Sequence, residues 1–135
     1  QILLPARKGA WGDANKIGLS PPPLETPEGW LILYHGVRST ASGCIYRLGL
    51  ALLDLEDPRR VVMRSDEWVF GPQEPYETVG DVDKVVFPCG WIVQGDTVRL
   101  YYGAADRCIA LATADLCDML DWLKAHHDTD RRAWP

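Results

Sequence analysis

Gly12-Asp13-Ala14-Asn15-Lys16-Ile17 and Gly80-Asp81-Val82-Asp83-Lys84-Val85 are the two stretches whose likeness decides the fold. The likeness continues in the same order along the chain. Leu33-Tyr34-His35-Gly36 is answered by Leu100-Tyr101-Tyr102-Gly103, and Leu50-Ala51-Leu52-Leu53-Asp54-Leu55 by Leu111-Ala112-Thr113-Ala114-Asp115-Leu116. The offset is 68 residues from Gly12 to Gly80, 67 from Leu33 to Leu100 and 61 from Leu50 to Leu111, so the second copy carries a shorter loop. Each match is weak alone, but the shared order marks an internal repeat, and such repeats belong to architectures built by stacking like units.

Both copies follow one plan. A Gly-Asp loop leads into a first strand, near Gly18 to Thr26 and Val85 to Gln94, and a turn follows at Pro27-Glu28-Gly29 or Gly95-Asp96. Second strands run from Trp30 to Val37 and from Thr97 to Ala104, rich in the aliphatic and aromatic residues that suit a pleated surface. Third strands run from Tyr46 to Leu53 and from Cys108 to Ala114, where small Gly49, Ala51, Ala110 and Ala112 alternate with Leu48, Leu50, Ile109 and Leu111 as in closely packed sheets. Val61 to Arg64 makes a fourth strand in the first copy, followed by Trp68-Val69-Phe70. The expectation is an all-β chain of two β-propeller blades, about 12–70 and 80–114. A helix from Asp115 to about His127 follows, with Leu116, Met119, Leu120 and Leu123 on one stripe and the propeller's outer edge as its expected seat. Asp128 to Arg132 is polar and expected to fray. Two units cannot close a ring, and at least about three are needed for stability. The chain therefore reads as a fragment, or as a piece that finds its ring in other chains.

The bulk numbers narrow the function. With 47% hydrophobic and 24% charged residues there is material for a core. The net charge of -5 argues against sequence-independent nucleic-acid binding, which needs a basic face. No apolar run approaches the roughly 18–20 residues of a membrane span. The N-terminal Gln1 to Lys8 has no basic-then-apolar leader order and no initiator Met, which suggests a start partway through a longer protein. Cys44, Cys89, Cys108 and Cys117 have no zinc-site spacing, so no metal is expected. Three of the four lie in apolar contexts and read as small buried hydrophobes, reduced, in a cytoplasmic chain.

Polar residues that punctuate apolar strands are the candidates for chemistry, because blades present function on loops and inner strand ends. His35 ends an apolar run just before Gly36; it is either a structural hydrogen-bonder or a ligand-holder. Lys16 precedes Ile17-Gly18 and the stiff Pro21-Pro22-Pro23, and is either solvated or anion-binding. Asp81 could accept hydrogen bonds from sugar hydroxyls or close an Asx turn, and Asp106 has the same two options. Tyr34, Tyr46, Tyr101 and Tyr102 offer stacking faces with polar tips, some of them in the core. No Ser/His/Asp set, phosphate loop or His/Glu metal cluster is legible.

Lys16-Ile17-Gly18, Pro21 to Trp30, Leu33-Tyr34-His35-Gly36-Val37, Tyr46-Arg47-Leu48-Gly49, Gly80-Asp81-Val82, Val86-Phe87-Pro88-Cys89-Gly90 and Tyr101 to Asp106 together resemble glycoside hydrolase family 130, the β-mannoside phosphorylases and related hydrolases. The resemblance runs from about Lys8 to Leu123 and corresponds to the C-terminal portion of that family's five-bladed propeller. It implies inverting phosphorolysis: phosphate attacks the anomeric carbon of a terminal β-mannosyl unit, an Asp protonates the leaving oxygen, and α-mannose 1-phosphate results. It implies phosphate-binding roles for Lys16 and His35, a mannosyl-binding role for Asp81, and cavity-lining places for Tyr102 and Asp106. The general acid is implied to lie upstream of Gln1, so no residue here is nominated for catalysis; phosphate would be a co-substrate, with no cofactor. Lys84 departs from the family pattern, where Asn is expected. Implied partners are a β-mannoside oligosaccharide and phosphate, with self-association to complete the ring.

Overall fold

The computed structural model describes residues 1–9 and 11–127. Asp128 to Arg132, expected to fray, lie outside them. Two antiparallel sheets carry the chain. The first contains β1 (Lys16–Leu19), β2 (Leu24–Thr26), β3 (Gly29–Thr40), β4 (Gly43–Leu53) and β5 (Val61–Arg64), in the order β1-β3-β4-β5 with β2 also on β3. The second contains β6 (Val86–Gln94), β7 (Thr97–Ala104) and β8 (Cys108–Asp115), paired in sequence order. Between them lies the short helix α1 (Pro75–Thr78), and α2 (Leu116–Ala125) follows β8.

The expected first strand of copy one is split in two. Pro21, Pro22 and Pro23 have no amide hydrogens to donate to a ladder, so β1 and β2 pair separately with β3, at Lys16↔Val37 to Leu19↔Tyr34 and Leu24↔Leu31 to Thr26↔Gly29. Phe70 bridges Leu48, which carries the chain back along β4 after β5.

Register sorts the side chains onto two faces. Leu31, Leu33, Leu48, Leu50 and Leu52 face the second sheet, where Val86, Tyr102 and Ala104 meet them, and Leu120 and Leu123 of α2 complete that core. The helix contacts β5 and β8, the outer strands of the two sheets, as an outer-edge helix should. Asp115 caps it, accepting from the amides of Cys117 (2.8 Å) and Asp118 (3.1 Å). On the opposite face of the first sheet, Ile32, Tyr34, Ala51 and Leu53 pack with Leu3, Leu4 and Ile17.

Two sequence expectations are corrected. All four cysteines are free and exposed, because they fall at strand ends, at the β6 irregularity and on the outer side of α2 rather than inside. In β8 the small Ala110 and Ala112 pack against the core, while Ile109 (84% exposed) and Leu111 (51%) point outward. The alternation is real, but the large residues occupy the uncovered face. Among the described residues, no helix is long and apolar enough to cross a membrane.

Candidate functional site

Of the candidates, Lys16 lies on β1, His35 on β3 and Tyr102 on β7, while Asp81 and Asp106 lie in loops beside the second sheet. Lys16 opens β1 and is exposed, opposite Val37; His35 lies opposite Gly18. In a period of two, Lys16, Gly18, His35 and Val37 share one face, so Lys16 and His35 are diagonal neighbours, about 7–8 Å apart at the backbone. His35 is half-buried. Its ring lies over Gly18, where a Cβ would meet Nε2 at 2.7 Å and Cε1 at 2.5 Å, so any side chain there would displace the imidazole. Nδ1 of His35 is 3.2 Å from Ser20 Oγ, which leaves Nε2 for a ligand. Burial holds the imidazole below the usual histidine range, so the ring is neutral at pH 7. The Phe87 ring, at the start of β6, leans on it at 5.3 Å and 46°, joining the two sheets at this point.

Asp81 and Asp106 are exposed on adjoining loops of the second sheet. Val82 donates to Ala105 O (3.1 Å), and the amide of Gly80 donates to Asp83 Oδ1 (2.9 Å). Gly80 is backed against Ala105 so closely that a Cβ would stand 2.3 Å from the Ala105 carbonyl oxygen. Ala105 (φ 48°) and Asp106 (φ 51°) are both left-handed, as the tight β7–β8 hairpin demands. Lys84 is left-handed too, at φ 59°. Asn tolerates that region better than Lys does, which gives the expected Asn a backbone reason.

Tyr102 lies elsewhere than expected. It is buried in the core between the sheets, and its hydroxyl donates to Glu77 Oε1 at 2.5 Å, so it faces no open surface here. Glu77 is 2% exposed, and its other oxygen accepts from the amides of Gln73 (2.7 Å) and Glu74 (2.9 Å). Desolvation pushes its pKa up, but these hydrogen bonds outweigh that and leave the carboxyl below its ordinary range. The Tyr102 hydroxyl is raised far above the usual phenol range, by burial first and then by Glu77.

Sequence reasoning missed a second buried carboxylate. Asp13 accepts from Arg7 Nη2 (2.9 Å) and Nε (3.0 and 3.1 Å), from Arg64 Nη2 (2.8 Å) and from Tyr34 Oη (3.2 Å). The one available signal was Arg64 closing an apolar strand; the long-range pairing was not legible. On this same back face a cavity of about 340 Å³ opens between Trp11, Asp13, Arg47, Asp66 and Trp68, and none of the five nominated residues lines it. Among the described residues, no cluster of His, Cys, Asp or Glu could hold a metal ion.

Two antiparallel sheets packed face to face over a shared core, with a helix at their outer strands, define a partial β-propeller. Residues 2–125 match the family model described as β-1,4-mannooligosaccharide phosphorylase, and the chain belongs to that family, glycoside hydrolase family 130. It is similar to the β-1,4-mannooligosaccharide phosphorylase of Ruminococcus albus, 44% identical over 119 residues, which are 87% of this chain and 35% of that protein. It is also similar to the 1,2-β-oligomannan phosphorylase of a Thermoanaerobacter strain, 39% identical over 79% of this chain and 35% of the other. Among solved structures, β-1,2-mannobiose phosphorylase from Listeria innocua with β-1,2-mannobiose superposes with a TM-score of 0.82 at 38% identity, over 90% of this chain and 33% of that one. The chain thus spans about a third of the length of these relatives.

Proposed function

We propose that this chain supplies the phosphate-binding and sugar-binding edge of a β-mannoside phosphorylase, and that alone it is catalytically inert. The observation that carries this reading is Lys16 and His35 on one face of the β1–β3 pair. A cationic ammonium and a donating Nε2–H stabilise a phosphate dianion without themselves becoming nucleophiles. The phosphate oxygen forms a bond to the anomeric carbon as the glycosidic C–O bond breaks, and the leaving oxygen takes its proton from an Asp that this chain does not provide. Asp81 and Asp106, exposed on adjoining loops, would accept hydrogen bonds from mannosyl hydroxyls; Tyr102 would act from the core, through Glu77, by fixing the segment that leads to Asp81. A hydrolase of the same family would not need the Lys16–His35 pair. Phosphate is a co-substrate in this reading, and no cofactor is required. The four free, exposed thiols favour a reducing compartment such as the cytoplasm.

Calorimetric titration of the chain with phosphate and with mannose tests this, with Lys16→Ala and His35→Ala alongside. Phosphate binding lost in both variants is expected; binding unchanged in both would overturn the assignment. Release of mannose 1-phosphate from a mannobiose by the chain alone would overturn its inertness.

A further inference from the structure

We propose that Asp13 is a positioning residue that holds Lys16 in place for its anionic ligand, acting through the backbone from the back of the sheet. The proposal rests on the phosphate reading of Lys16. Asp13 is 3% exposed, and its carboxylate ties three separate parts of the chain: Arg7 from the N-terminal segment, Tyr34 from β3 and Arg64 from β5. The two arginines are anchored in turn, Arg7 Nη1 donating to Ser65 O (2.9 Å) and Arg64 Nη1 to Pro5 O (2.8 Å). Gly36 makes the seat: a Cβ there would lie 2.5 Å from Asp13 Cβ and 2.7 Å from its Cα. Tyr34 and Gly36 therefore grip Asp13 on the back face, while His35 between them points to the front.

From this anchor the chain has little freedom before Lys16. The amide of Asn15 donates to Val37 O (3.0 Å), and its side-chain Oδ1 accepts from Ser39 N (2.8 Å). Lys16 then begins β1 on the front face. Its long flexible stem loses rotamer freedom when it is held, so a fixed Cα is the part of its placement that the fold can supply. Burying two guanidiniums around one carboxylate is weak evidence for stability, because similar packing by apolar residues would serve as well. The second copy supports a geometric role. Asp81, the repeat counterpart of Asp13, is exposed, and its loop is held instead by the Gly80–Asp83 and Val82–Ala105 bonds. One Gly-Asp has become an internal tether, the other a surface group.

The test is Asp13→Asn, which keeps the shape but turns an amide toward the guanidiniums, with Tyr34→Phe as the milder change. Phosphate titration and amide hydrogen exchange are read on the intact chain. In Asp13→Asn, phosphate affinity should fall at least about tenfold and the amides of Lys16 to Gly18 should exchange faster, while those of β7 stay protected. A folded Asp13→Asn with unchanged phosphate affinity and unchanged exchange at residues 16–18 overturns the proposal. Faster exchange there in a chain whose parent binds no phosphate supports the tether and removes the phosphate reading instead. Should Asp13→Asn not fold, Tyr34→Phe decides by the same two measurements: both unchanged overturns it, and about a twofold to threefold loss of affinity with faster exchange supports it.

Discussion

His35 is held by small things: a glycine beneath its ring, the Ser20 hydroxyl at Nδ1 and the tilted ring of Phe87. Burial lowers its pKa, so the unfolded chain takes up a proton first as pH falls. The stability this contributes is present above the ordinary value near 6.5 and is lost as pH drops through the folded value. Phosphate should reverse that shift, because a dianion favours the imidazolium. Proton NMR titration is expected to place the His35 midpoint below 6.5 in the free chain and higher with saturating phosphate; an unmoved midpoint would remove His35 from the site. Lys84 offers a second residue-scale expectation. Its φ of 59° suits Asn better than Lys, so Lys84→Asn should stabilise the chain by up to about 1 kcal/mol in denaturant melts.

Among the elements, one buried hydrogen bond ties the second sheet to α1. Tyr102 in β7 donates to Glu77 in α1, and both are buried. Tyr102→Phe leaves the ring against Phe70 but takes a donor from a buried carboxylate, which should cost about 1.5–3 kcal/mol by equilibrium unfolding. Glu77 titrates below its ordinary range, so its contribution is present above the unfolded carboxyl pKa and disappears as pH falls through the folded one; the acid limb of the melting profile should flatten in Tyr102→Phe. Elements of this kind were only partly legible. β7 matches its expected Thr97–Ala104 limits and β5 its expected Val61–Arg64, because dense aliphatic and aromatic runs between turn residues admit little else. The expected first strand failed at Pro21 to Pro23, where missing donors outweighed continuity of pattern. Alternation in β8 gave the two faces but not which one would be covered, since that depends on a neighbouring sheet rather than on β8 itself. The site split along the same line. Lys16, His35 and Asp81 stood out locally, whereas the Asp13 hub joins residues 7, 13, 34 and 64 and exists only in three dimensions.

For the molecule as a whole, the uncovered faces set the behaviour. Ile92, Tyr101, Ile109 and Leu111 lie exposed on one side of the second sheet. At the other end of the pair, Leu3, Leu4, Ile17, Leu19, Ile32 and Leu53 line an open groove of about 270 Å³. A contact between these two unlike surfaces is head-to-tail, and such contacts either close into a ring or run on as open chains. The family's ring has five blades, and this chain contributes sheets for two. Whole copies of a two-blade unit cannot sum to five, so self-association cannot reach the family's geometry without strain. Light scattering should therefore show a mass that climbs with concentration and is polydisperse, rather than one closed oligomer. Ile109→Lys with Leu111→Lys should return the chain to monomer mass while leaving its circular dichroism unchanged, because both side chains already face solvent. A polypeptide carrying the remaining two-thirds of a relative should instead cap both ends at once and give a single one-to-one mass. A sharp oligomer of the 135-residue chain by itself would mean that the blade angle here differs from that of its family.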